Sequence, residues 1–136
     1  MLLSDDELAR LQSVAPFLRN EAHAALELEA NYEVTMELES HLQPGLRIRA
    51  PDSSRTTAAS DAPPYALDLF VGLPLNELRA LSHADDATRE AEIARFGARF
   101  SPRLLRAIAR MAPHEIDLDA GVQSEAGTLS VMLEED

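Results

Sequence analysis

Glu37, Glu39 and His41 stand at alternate positions, a spacing that brings two carboxylates and an imidazole to one face of an extended chain. A divalent metal would accept them, given a further ligand and an oriented outer shell. A pair of carboxylates could instead work as general acid and base, if an apolar pocket raised the pKa of one. Nothing nearby in the sequence supplies either condition. The other histidines, His23, His83 and His114, are distant and form no HExxH or Glu-x-x-His pair. The reading is therefore a partly exposed imidazole beside acids, with no catalytic residue, no metal and no cofactor assigned.

Glu115, Asp117 and Asp119 alternate like the opening of a calcium loop. Such a loop needs Gly at its sixth position and Glu at its twelfth. Counting from Glu115 gives Ala120 and Ala126, with Gly121 and Glu125 each displaced by one. The interleaved Ile116 and Leu118 fit a half-buried strand better.

Absent residues exclude more. The chain has no Cys and no Lys, all twelve basic residues being Arg. That removes thiol chemistry, sulfur-ligated zinc, the P-loop lysine, Schiff bases and Ser-Lys nucleophile pairs. The glycines, at positions 45, 72, 97, 121 and 127, match neither a dinucleotide fingerprint nor a nucleophile elbow.

The net charge is −12 over 136 residues. Such a surface repels phosphate backbones and anionic lipid heads, so the expected partner is a protein, with basic character, and neither nucleic acid nor membrane. The charge is segregated: residues 75–112 hold seven arginines against five acids, which gives this segment +2 and leaves −14 on the rest. Arg99, Arg103, Arg106 and Arg110 follow one side of a helix at spacings of three or four. They form either a docking stripe or internal partners for the chain's own acids, and the second reading is preferred.

These residues need elements to position them. Ser4 followed by Glu7 is a capping box, which starts a helix expected to run to about Ala22, with Pro16 bending it or opening a second turn capped by Ser13. From 24 to 42 the period is two: Leu26, Leu28, Tyr32, Val34, Met36 and Leu38 share one face, while Glu27, Glu29, Glu33, Glu37, Glu39 and His41 share the other. Nineteen residues exceed the usual strand of roughly 3 to 10, so a bend near Ala30, or helix persisting to about Leu28, is expected. Pro44-Gly45 turns the chain into a second arm, where Leu46, Ile48 and Ala50 alternate with Arg47 and Arg49.

Residues 51–64 are small, polar or Pro and read as a mobile surface loop. A strand follows over 65–73, with Phe70 facing away from the Leu set, either as a candidate interface anchor or covered by a second loop or a subunit. Next come a short helix over 75–81 and a helical stripe over 86–112 that Ser101-Pro102 should divide into two helices meeting at an angle. Alternation returns after Pro113 and predicts a terminal hairpin turning at 124–127. The expected fold is α+β and a single domain: an antiparallel sheet of about four to six strands, helices packed on one face, in the order α-β-β-(loop)-β-α-α-β-β.

The amino-terminal residues lack a basic n-region and an apolar h-region, which makes a cytoplasmic protein the expectation, and Arg without Lys suggests a high-GC bacterium. The segment Phe100-Ser101-Pro102-Arg103-Leu104-Leu105-Arg106 is similar to a stretch of the export chaperone SecB, and the element order resembles the small type III secretion chaperones. Neither likeness carries a specific motif, and no family is assigned from them. The expected function is a non-enzymatic interaction factor, chaperone-like, regulatory or immunity-type, whose candidate binding residues are Glu33, Glu37, Glu39, His41, Phe70, Arg99, Arg103, Arg106 and Arg110. The alternatives are a small metal-dependent or carboxylate-based enzyme using Glu37, Glu39 and His41, and a homodimer joined through an exposed strand or Phe70.

Overall fold

The computed structural model describes residues 3–26, 32–38, 44–51, 65–111, 115–118, 120–124 and 127–134. Helix α1 (Asp5–Ala25) begins on the predicted capping box: the Ser4 hydroxyl accepts from the Glu7 N–H at 3.1 Å, and Glu7 Oε1 accepts from the Ser4 N–H at 2.9 Å. It passes through Pro16 without interruption, and the Ser13 hydroxyl donates to the Arg10 carbonyl instead of capping a second helix. Leu11, Val14, Leu18, Ala22 and Leu26 form its buried stripe. That stripe carries the helix past the expected end near Ala22.

The long period-two segment yields a short strand, β1 (Glu33–Glu37). Residues 27–31 and 39–43 lie outside the described residues, as do 52–64 of the expected loop. Strand β2 (Gly45–Pro51) pairs antiparallel with β1, as the hairpin reading required, and β3 (Tyr65–Gly72) pairs antiparallel with β2. Val34 aligns with Ile48 and Leu69, and Met36 with Leu46 and Val71, so one face of the sheet is apolar. The opposite rows align Glu33, Arg49 and Asp68, then Thr35, Arg47 and Phe70.

Helix α2 (Leu75–His83) leads into α3 (Asp86–Met111). The expectation of two helices broken at Ser101-Pro102 is corrected, since α3 is continuous with Pro102 inside it. A proline within a helix costs roughly 3 kcal/mol. Burial of a large apolar side chain returns about 1.5–3 kcal/mol, and Phe96, Phe100, Leu104 and Ile108 are all buried along one stripe that spans the proline. Packing on both sides of Pro102 therefore outweighs the local penalty.

The all-antiparallel sheet is corrected as well. Strands β4 (Ile116–Asp117) and β5 (Val122–Gln123) form a small antiparallel pair of their own, and β6 (Leu129–Met132) joins β3 in parallel. The main sheet is thus mixed, with the order β1-β2-β3-β6. Parallel pairing sets Val131 beside Val71, both fully buried, and the Leu133 N–H extends the ladder to the Gly72 carbonyl at 3.0 Å. A hairpin with the preceding strand would have left this apolar row without its place in the core. The α+β class holds, with three helices and six strands among the described residues, and none of those helices is long and apolar enough to cross a membrane.

The continuity of α3 is testable at one exposed position. Pro102→Ala restores a helical N–H without removing buried surface, so denaturant unfolding should show a gain of about 1–3 kcal/mol. Were Pro102 the first residue of a separate helix, the same change would be neutral or slightly destabilising.

Candidate functional site: the acidic strand and the polar face of the sheet

Alternation along β1, β2 and β3 gathers their charged residues on the face away from the core, where Arg47 is the hub. Its Nε donates to Glu37 Oε1 at 2.8 Å, and its Nη1 donates to Asp68 Oδ1 at 3.2 Å and to Thr128 Oγ1 at 3.1 Å. The Thr128 hydroxyl in turn donates to Asp68 Oδ2 at 3.1 Å, and Arg49 Nε donates to Asp68 Oδ1 at 3.3 Å. The Glu37 hydrogen bond is the main cause that raises the Arg47 pKa, and it prevails over the opposing effect of burial. Glu37 is therefore engaged in an ion pair and is poorly placed to serve as a metal ligand or a base. Glu39 and His41 lie outside the described residues.

Glu33 occupies the outermost row opposite Arg49 and is exposed. Phe70 shares the polar face, as expected, but its candidacy as an exposed anchor is overturned, because only 9% of it is accessible. Its ring lies over Gly45, where an added Cβ would sit 2.9 Å from the ring's Cζ, and the Arg47 guanidinium lies 6.0 Å from the ring centroid. The missing side chain of Gly45 makes room for the ring.

One further side chain, that of Gln123 in β5, completes this face. The Asp68 N–H donates to Gln123 Oε1 at 2.7 Å, and Gln123 Nε2 donates to the Gly127 carbonyl at 2.6 Å. A side-chain amide thus continues the β3 edge just before β6 takes over. Asp117, read above as part of a calcium-like pattern, instead shapes the β4–β5 turn: its Oδ1 accepts from the Ala120 N–H at 3.3 Å, and Gly121 follows at φ 67°. Among the described residues no group of three or more His, Asp or Glu side chains could hold a metal ion.

The arginine stripe of α3 divides. Arg103 is 2% exposed and forks onto Glu77 of α2, with Nη1 to Oε1 at 2.9 Å and Nη2 to Oε2 at 2.6 Å. Its Nε and Nη2 also donate to the Glu134 carbonyl at 3.2 and 2.9 Å. That burial removes Arg103 from any docking surface. Arg110 pairs with the Glu134 carboxylate, Arg106 is exposed, and half-buried Arg99 lines a cleft of about 240 Å³ between α2 and α3 with Arg95, Asn76 and Phe96. These four arginines thus do not form one surface.

One cluster was only partly legible. Glu7 marks the capping box, but nothing in the sequence links it to Arg79, whose Nε donates to Glu7 Oε2 at 3.1 Å, or to His83, whose Nε2 lies 3.0 Å from the same oxygen. The Ser4 N–H is the largest cause that lowers the Glu7 pKa to about 2; His83 and Arg79 add to it, and burial opposes it. A groove of about 430 Å³ between α1 and β1 was not foreseen at all; it is lined by Arg19, Asn20, His23, Tyr32, Glu33, Val34 and Thr35. Within this lining His23 Nε2 lies 2.9 Å from the Tyr32 carbonyl.

Comparison of the chain with protein-family models, curated proteins and solved structures gives no match.

Removing one partner of a buried ion pair strands the other, so Arg103→Ala should lower unfolding stability by about 3–5 kcal/mol, against less than about 0.5 kcal/mol for the exposed Arg106→Ala. Arg103→Lys should not restore it, because an ammonium cannot make the two-pronged contact with Glu77. The Glu7 carboxyl has a depressed pKa in the folded chain, so its stabilising effect is complete above its ordinary value of 4.5 and is lost as pH falls towards 2. Unfolding curves for the native chain and Glu7→Gln should therefore differ most above pH 4.5 and converge as the pH falls towards 2.

Proposed function

We propose that this protein is a non-enzymatic interaction factor, chaperone-like, regulatory or immunity-type, which presents an acidic surface to a basic protein partner in the cytoplasm. The observation that carries the reading is where the cations go. Arg47, Arg49, Arg79, Arg89, Arg103 and Arg110 each pair with an acid of the same chain. With 24 acids against 12 arginines, such pairing leaves a surplus of negative charge. Asp5, Asp6, Glu33, Asp86, Glu90 and Asp117 are all exposed. A field of this sign attracts a basic surface from a distance and repels acidic ones.

The enzyme alternative gains nothing from the geometry of Glu37, whose Oε1 accepts from Arg47. An arginine-based docking stripe is weakened in the same way by the burial of Arg103.

Salt dependence tests the proposal. The immobilised protein, exposed to extract of its native cells at about 0.05 M salt and then washed at about 1 M, experiences a fall in screening length from more than 10 Å to about 3 Å. The retained proteins should be basic and should elute in the high-salt wash. Retention of acidic proteins, or of proteins that salt does not release, would overturn the reading.

A further inference from the structure

The chain has no Cys and no Trp, so the side chains that react most readily with a two-electron oxidant are its four methionines. Met1 lies outside the described residues, and Met36 of β1 is half-buried against the core. Met111 and Met132 differ, with 48% of the first and 36% of the second accessible. They also meet. Met111 is the last residue of α3, Met132 the last of β6, and the Met132 N–H donates to Met111 Sδ at 3.4 Å.

Strand parity explains the contact. Among the described residues β6 pairs only with β3, which makes it an edge of the main sheet. The Leu133 N–H donates to the Gly72 carbonyl of β3, and backbone direction alternates along a strand, so the Met132 N–H points outward. Outward amides of an edge strand are where a further strand can add, and native sheets commonly cover them. Here the cover is a thioether, a weak acceptor, held at the surface by the end of α3.

We propose that Met111 is an oxidation site for hydrogen peroxide or a related two-electron oxygen donor, and that its sulfoxide no longer covers the Met132 amide. A sulfur lone pair attacks one peroxide oxygen and the O–O bond breaks; the departing hydroxide takes the proton of the transferred oxygen and leaves as water. Sulfur is oxidised by two electrons and the peroxide is reduced by the same two. Oxygen on the lone pair that faces the amide does not fit within the 3.4 Å between sulfur and nitrogen. Oxygen on the other lone pair leaves a sulfur of partial positive charge facing a donor proton. In both cases the thioether contact is lost. The neighbouring ion pair of Arg110 with the Glu134 carboxylate involves no sulfur, which confines the change to the strand edge.

The test treats the full chain with dilute hydrogen peroxide, reads sulfoxide by peptide mass and follows amide hydrogen exchange residue by residue. Native protein, Met111→Leu and Met132→Leu are compared, each checked for native circular dichroism. Met111 should oxidise about tenfold faster than Met36. Its oxidation should speed exchange of the amide at position 132 about threefold, as loss of one weak hydrogen bond would, and leave the inward amides of Val131 and Leu133 unchanged. Met111→Leu should show the faster exchange before any peroxide and no further rise after it, whereas Met132→Leu should respond as the native chain does. Oxidation of Met111 no faster than that of Met36 would overturn the proposal, as would unchanged or slowed exchange at position 132. An equal rise at positions 131–133 would indicate general unfolding, and a peroxide response in Met111→Leu would assign the effect to Met132; either result would also overturn it.

Discussion

Parallel pairing of β6 with β3 is the constraint on which the rest of the architecture turns. It puts Val131 and Leu133 into the core, and it obliges the chain to travel back along the sheet before β6 can enter. Helices α2 and α3, followed by the β4–β5 pair, occupy that return. The contacts that hold the return are polar and exact in geometry: the Arg103 fork onto Glu77 and the Glu134 carbonyl ties both helices to the residues that follow β6. Gln123 and Thr128 secure the other end, bonding to Asp68 from the segment that leads into β6. A buried guanidinium is tolerated because all three of its nitrogens find acceptors.

The same pairings decide what the surface offers. Arginine is the only cation in this chain apart from histidine, and its planar fork suits carboxylates and carbonyls inside the structure. Pairing sets the arginines beside acids without changing the net charge of −12, so the fold decides where the acidic surplus lies and not how large it is. Glu37 is held by Arg47, while Glu33, four residues earlier on the same face, is exposed at the rim.

Several features were legible beforehand because they depend on local pattern. The capping box at Ser4 and Glu7 and the alternation of Leu46, Ile48 and Ala50 with Arg47 and Arg49 each require only neighbours a few residues away. The expected break at Ser101-Pro102 failed for the complementary reason. Local chemistry there favours a new helix, whereas the buried stripe through Phe96, Phe100, Leu104 and Ile108 makes one continuous helix the better solution. Over 24–42 the period of two was real, but Ala22 and Leu26 also satisfy a helical stripe, and their place in the core assigns that end of the segment to α1 and its C-terminal cap.

What the sequence determined by itself was the inventory and the faces: no thiol or amine nucleophile, an acidic surplus, a polar row alternating with an apolar one, and the α+β class. Tertiary structure decided the partners, because they join residues far apart in the chain. Arg103 meets Glu77, Thr128 meets Asp68, and Glu7 meets Arg79 across separations that no short-range period encodes. Parallel or antiparallel entry of β6 was also a tertiary decision, since Leu129, Val131 and Leu133 present the same alternation in either direction. Only the core that receives them distinguishes the two.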